Sequence, residues 1–245
     1  MQHNVLGALM LVTYTHGSFD LQGRPNDVET LAASRQFQEW LARLDARFTI
    51  HGITLQALDR RRDGGLLFAK FVADVTDPHG RRVPGAVFLR GDAVAVLVVL
   101  HADGQEWTVL TVQPRFPAGL FESVEIPAGM LDDHGDFTGA AARELVEETG
   151  LQIDADQLSY LGEFFPSGGG SDELIKLYVC HIEMARTEIE SLHGRLAGAA
   201  HEHERIRVKV VPLGDLPRHT SDVKALMAYG YYKGWGAAPP LKSDQ

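Results

Sequence analysis

Gly129-Met-Leu-Asp-Asp-His-Gly-Asp-Phe-Thr-Gly-Ala-Ala-Ala-Arg143-Glu144-Leu-Val-Glu147-Glu148-Thr-Gly150-Leu151 reads as a short helix with three carboxylates in its last turns. That end of a helix carries a partial negative charge from unsatisfied carbonyls and disfavours each nearby Glu by a few tenths to ~1 kcal/mol. Glu144 and Glu148 stand four apart on one face, where like charges repel. Glu147 lies roughly 60° around the axis from Glu144 at about 100° per residue. Arg143 is the one cation inside the segment. A hard divalent ion held by carboxylate and carbonyl oxygens would resolve the conflict. The competing account is a solvated acidic face.

The opposite face supports a docked helix. Phe137, Ala141 and Leu145 recur every four residues, and Ala140 and Ala142 are strong helix formers. Asp136 suits the N-cap, and Gly150 suits the left-handed residue that ends a helix.

Composition narrows the class. The 245 residues are 44% hydrophobic, ample for a packed core. A formal net charge of −10 argues against nucleic acid or an anionic membrane as partner, since both need a basic footprint. The apolar run Val5–Tyr14 is too short to span a bilayer, and no basic segment precedes it as a secretory signal requires. The single Cys180 rules out an internal disulfide, fits a reducing cytoplasm, and reads as core filler in a strand over 174–182.

Two parts are visible along the chain, residues 1–82 and 83–245. In the first, the spacing of Leu31, Phe37, Trp40, Leu41 and Leu44 predicts one amphipathic helix over 27–45, followed by a hairpin of strands 53–60 and 66–75. In the second, strands are predicted at 86–90, 93–101, 107–113, 160–165, 174–182 and 206–211, with a closing helix over 221–232 capped by Ser221-Asp222. The nearly unbroken apolar run from Val94 to Leu100 suits a strand covered on both faces. Residues 188–200 read as a loop or a short helix. Strands on either side of one central helix, with a last helix closing the chain, predict an α/β fold of mixed sheets between helices.

The run from Gly129 to Leu151, with Glu125-Ile-Pro-Ala-Gly129 before it, resembles the Nudix box, the signature of hydrolases that cleave nucleoside diphosphates linked to another moiety. The resemblance implies an α/β/α sandwich over about residues 84–235. It departs at one position, where Gly135 stands in place of the usual Glu; Asp132, Asp133 or Asp136 are the nearby substitutes, and the number of ions stays open. The upstream helix, the hairpin, Val83-Pro84-Gly85 and Arg90–Leu97 look like the subgroup that hydrolyses ADP-sugars and UDP-sugars, which includes the plant-type ADP-sugar diphosphatases. In that subgroup the N-terminal part is exchanged between subunits, which implies a homodimer.

By the same resemblance Glu144, Glu148 and the carbonyl of Ala128 are ligands of Mg2+, with Mn2+ an alternative. Glu147 holds water in the metal shell, and Arg143 either orients the carboxylates or forms an ordinary ion pair. The run Ala200-His201-Glu202-His203-Glu204-Arg205 resembles the loop carrying the catalytic base, with Glu202 placed ahead of Glu204. Its alternating His and Glu also permit a transition-metal site or a plain acidic loop. Pro166 lies sixteen residues past Gly150, which resembles the marker of ADP-ribose and ADP-sugar hydrolases. Ser167 and Gly169, in the glycine-rich stretch after it, offer backbone N–H groups to phosphate or sugar oxygens, unless this is only a flexible turn. Gln113-Pro114-Arg115-Phe116 matches the subgroup's substrate-facing arginine, and Glu173 is placed on ribose hydroxyls or a metal's outer shell. The implied reaction is hydrolysis of ADP-ribose or ADP-glucose to AMP and a sugar phosphate. UDP-sugar hydrolysis and a nucleotide-sugar sensor without catalysis are the alternatives.

Overall fold

The computed structural model describes residues 7–131, 137–198 and 206–236. By contacts the chain forms two compact units, Met1–Asp92 with Ser167–Glu173, and Ala93–Pro166 with Leu174–Gln245.

The first unit runs β1 (Ala8–Tyr14), β2 (Gly17–Gly23), α1 (Pro25–Ala33), α2 (Arg35–Arg43), β3 (Thr49–Arg60), β4 (Leu66–Thr76) and β5 (Ala86–Leu89). Its strands form one sheet in the order β1-β2-β3-β4-β5, with β2 and β3 parallel. The single helix expected over 27–45 is two helices. Ser34 takes an extended conformation, donates its hydroxyl to the Leu31 carbonyl at 2.7 Å and accepts from the Phe37 N–H at 3.3 Å. It thus ends α1 and caps α2, the alternative that a serine offers the backbone. The break keeps Leu31, Phe37 and Leu41 in one core with Leu21, Ile53 and Phe71. The β1–β2 hairpin was not predicted, and β5 pairs with β4 rather than with strands of the second part. The glycine-rich segment belongs to this unit. Phe88 donates its N–H to Gly170 at 2.8 Å, and the Asp172 carboxylate accepts from the N–H groups of Arg90 at 2.8 Å and Gly91 at 3.1 Å.

The second unit runs β6 (Ala93–Ala102), β7 (Gln105–Arg115), β8 (Leu120–Glu125), β9 (Ala128–Met130), α3 (Phe137–Thr149), β10 (Ser159–Phe164), β11 (Ile175–Glu183), α4 (Arg186–Leu192), β12 (Leu196–Ala197), β13 (Ile206–Pro212), α5 (Leu216–His219) and α6 (Val223–Tyr232). The main path of its mixed sheet is β10-β11-β6-β7-β13-β12, with β8 added to β7 and β9 to β6. Central β6 and its neighbour β11 are parallel. Alternate residues of β6 feed two cores. Val94, Val96, Val98 and Leu100 pack with Ala140, Ala141 and Leu145 of α3 and Ile189 of α4. Ala93, Ala95, Leu97 and Val99 pack with Ala225 and Ala228 of α6. Helices on both faces explain why this strand lacks the polar alternation of a half-exposed one. Residues 188–200 hold most of α4 as well as β12, up to Gly198, the last described residue there. Cys180 is buried on β11, and burial pushes its thiol up to about 12, as suits core filler. Among the described residues no helix is long and apolar enough to cross a membrane.

Candidate active site on helix α3

Helix α3 forms because Ala140, Ala141 and Leu145 have a core to fill, and it stops at Gly150, whose φ of +76° few other residues tolerate. The Gly150 N–H donates to the Val146 carbonyl at 2.8 Å. The carboxylates clustered at this end divide by depth. Glu148 lies one turn beyond Leu145 on the buried face and is 4% exposed, whereas Glu147 and Arg143 are exposed and Glu144 is half-buried.

Glu148 joins three elements. One carboxylate oxygen accepts from the Ala128 N–H of β9 at 3.1 Å, and the other accepts from the Gln113 amide of β7 at 3.4 Å. A charge this deep is tolerable only where donors meet it. Glu144 lies against the same short strand. A Cβ at Gly129 would stand 1.9 Å from the Glu144 carboxyl carbon and 2.0 Å from one of its oxygens, so only glycine leaves that carboxylate room. Two carboxylates one helical turn apart therefore converge on the backbone of residues 128 and 129. This oxygen-only donor set suits a hard cation, with backbone carbonyls and water to complete it. Among the described residues no three His, Cys, Asp or Glu side chains form a ready-made metal cluster.

Arg115, on the same strand as Gln113, makes a bidentate pair with Glu125, Nε to Oε1 at 2.8 Å and Nη2 to Oε2 at 2.9 Å. Lys224, at the start of α6, reaches Glu125 at 3.1 Å and its cap Asp222 at 2.9 Å. Burial pushes the Glu125 carboxyl up, but the Arg115 hydrogen bond and the charges of Lys224 and Arg115 outweigh it and hold the group at about 2. Sequence reasoning quoted Glu125 as part of the motif and missed its cations. Lys224 lies 99 residues away, and no local spacing signals such a pair.

The structure thus brings together Gln113, Ala128, Glu144 and Glu148, with Glu147 and Arg143 on the exposed side of the same helix end. Pro166 follows β10 in the second unit, and Ser167, Gly169 and Glu173 belong to the first. There the Ser167 carbonyl accepts from the N–H groups of Gly170 and Ser171 at 3.1 and 3.0 Å, and Gly169 is exposed. Glu173 lies 3.1 Å from Arg90 Nε, an ion pair outside hydrogen-bond geometry. Glu202 and Glu204 lie outside the described residues, as do Asp132, Asp133, Gly135 and Asp136.

The pattern of the NUDIX domain matches residues 89–229. Nudix hydrolase 14, chloroplastic, of Arabidopsis thaliana is 37% identical over 229 residues, covering 85% of this chain and 73% of that protein. An ADP-ribose pyrophosphatase of Bacillus subtilis is 33% identical over 116 residues, covering 47% of this chain and 59% of that one. The methanol dehydrogenase activator of Bacillus methanolicus is 38% identical over 109 residues, 44% of this chain and 55% of its own. Among solved structures, the crystal structure of an ADP compounds hydrolase superposes with a TM-score of 0.54 at 17% identity, covering 77% of this chain and 94% of that one. That likeness bears on the fold.

Proposed function

This chain belongs to the NUDIX domain family, and on that premise we propose that it hydrolyses the diphosphate bond of ADP-sugars such as ADP-ribose and ADP-glucose. The products are AMP and a sugar phosphate, and the reaction uses Mg2+, with Mn2+ as a substitute. The name of the Arabidopsis relative supports a Nudix hydrolase, and that of the Bacillus subtilis relative, an ADP-ribose pyrophosphatase, supports an ADP compound as substrate. The observation that carries the reading is the buried Glu148 carboxylate, fastened to Ala128 and Gln113 beside Glu144 at the acidic end of α3.

The chemistry asks for charge neutralisation across the bridging oxygen, an aligned water and a proton acceptor. Glu144, Glu148 and the Ala128 carbonyl are the proposed cation ligands, and a bound cation would neutralise the diphosphate and polarise the bond under attack. Gln113 and the Ala128 N–H fix the Glu148 carboxylate, so its oxygens need not reorganise when substrate arrives. Glu147, exposed one residue earlier, is proposed to orient water, and Arg143 to orient the carboxylates. The water oxygen bonds to one phosphorus while the bridging oxygen leaves with the other phosphate. The water's proton passes to Glu202, or to Glu204 in its place.

Arg115, in its Glu125 pair at the end of β7, is proposed to present positive charge to the diphosphate. Pro166, Ser167, Gly169 and Glu173 are proposed substrate contacts on sequence pattern alone. We also propose a homodimer in which residues 1–82 are exchanged, and a reducing, cytoplasmic setting in keeping with the lone buried Cys180. A panel of ADP-ribose, ADP-glucose, UDP-glucose and a dinucleoside polyphosphate with Mg2+ tests the substrate class. AMP from the first two ahead of the others is the expected result, and preferential UMP release from UDP-glucose would reassign it.

A further inference from the structure

Strands β6 and β11 end side by side in a register that sets Glu183 beside His101, with His181 beside Val99. On its other flank His101 is registered with Glu106 of β7. Register partners, and residues two apart on one strand, share a face of the sheet. His101, His181, Glu106 and Glu183 therefore occupy one patch, and His101, Glu106 and Glu183 line an open groove of about 880 Å³. In this patch His101 Nε2 stands 2.9 Å from His181 Nδ1, with ring centroids 5.2 Å apart and the ring planes at 17°. Neutral imidazoles in that arrangement share a single proton, one nitrogen donating and the other accepting.

That arrangement is close to a chelate. Two nitrogens bound to one tetrahedral Zn2+ at about 2.0–2.1 Å would stand roughly 3.3 Å apart. We infer that the His101–His181 pair binds a borderline transition-metal ion, with Zn2+ as the test case, the ion taking the place of the shared proton. No third side-chain donor is gathered with them among the described residues, so water completes the coordination, or the exposed Glu183 turns inward from its register position. Glu106 is engaged elsewhere, accepting from the Tyr232 hydroxyl at 2.6 Å and Lys233 Nζ at 3.0 Å, and offsets the Lys233 charge that would oppose a cation. Imidazole nitrogens favour zinc and its neighbours over Mg2+, so this site and the carboxylates of α3 select different ions. The histidine pair shares no residue with those assigned to catalysis, and its zinc affinity does not depend on which substrate the α3 site takes.

The test is a Zn2+ titration of chelator-stripped protein, followed by the ring 15N shifts of histidine, by calorimetry and by thermal unfolding. His101→Asn, His181→Asn and Glu148→Gln are compared with the parent chain. Zn2+ is expected to move His101 Nε2 and His181 Nδ1 and to raise Tm by mass action, while Mg2+ moves neither nitrogen. Either histidine substitution should weaken that zinc equivalent by more than about tenfold, since even outer-shell changes cost 10–100-fold. Both histidines are at least partly exposed, and an unchanged metal-free Tm would confirm that the variants fold. Ring nitrogens unmoved at saturating Zn2+ overturn the inference from the parent chain alone. So does zinc binding that survives both histidine changes and disappears with Glu148→Gln.

Discussion

Two buried carboxylates of the second unit, Glu125 and Glu148, are held in different ways. Glu125 accepts a guanidinium fork from Arg115 and an ammonium hydrogen bond from Lys224, and with Asp222 these form a group of two positive and two negative charges. Glu148 accepts a peptide N–H and a side-chain amide and stands in line with Glu144 on a helix end that already disfavours anions. The first arrangement ties β7, β8 and α6 together and holds Arg115 in place at the end of β7. The second concentrates oxygen donors, the arrangement proposed to hold a cation. Deep burial of a carboxylate therefore does not by itself separate scaffold from candidate site.

Substitution should separate the two most strongly in activity. Glu148→Gln keeps the shape and one acceptor but removes the charge, and turnover of ADP-ribose with Mg2+ is expected to fall on the order of 10³-fold or more, the scale of losing one charge-stabilising group. Its Tm should stay near that of the parent; a large loss of stability with turnover retained would make Glu148 scaffold. Gly129→Ala should give a smaller loss, of about 10²-fold, because the new Cβ displaces the Glu144 carboxylate while the flexible end of that side chain can give way. Full activity in this variant would mean that the position of Glu144 does not matter.

Glu125→Gln should show the reverse pattern in denaturant unfolding, losing roughly 3 kcal/mol as Arg115 and Lys224 are left in a cluster short of one negative charge. The same residue sets an acid limb of stability. Its carboxyl lies at about 2 in the fold against an ordinary 4.5, so the unfolded chain takes up the proton first. The stabilisation is complete above about pH 4.5 and drains away as pH falls toward 2, by at most roughly 3 kcal/mol at about 1.36 kcal/mol per unit. Glu125→Gln should flatten that limb, and an unchanged acid profile would show that the cluster does not couple to folding. The smallest effect is local to the first unit. Ser34→Ala removes the cap between α1 and α2 and should cost about 1 kcal/mol in thermal or denaturant unfolding.

Helix α3 and strand β6 were legible in the sequence because their signals are local. Phe137, Ala141 and Leu145 mark one face, Gly150 ends the helix, and Val94–Leu100 has no polar alternation. The break at Ser34 was hidden because apolar residues continue at helical spacing on both sides of it. The β1–β2 hairpin went unseen because an apolar run beginning near the N-terminus invites comparison with a leader or a membrane span before a strand. Of the candidate site, the carboxylates and Ala128 stand out in the sequence through the motif, but which Glu is buried depends on how deeply α3 packs against β7 and β9. The Arg115–Glu125–Lys224 group could not be read, since it is assembled by strand pairing and helix docking between residues 10 and 99 positions apart.

The acidic end of α3 is proposed to serve hydrolysis of a diphosphate. The most direct measurement is the release of AMP from ADP-ribose, with and without Mg2+, by the parent chain and by Glu148→Gln. Equimolar AMP and ribose phosphate from the parent chain only when the cation is present, and almost none from the variant, is the expected outcome. Tight ADP-ribose binding by the parent chain with no AMP formed, or equal turnover by both proteins, would contradict it.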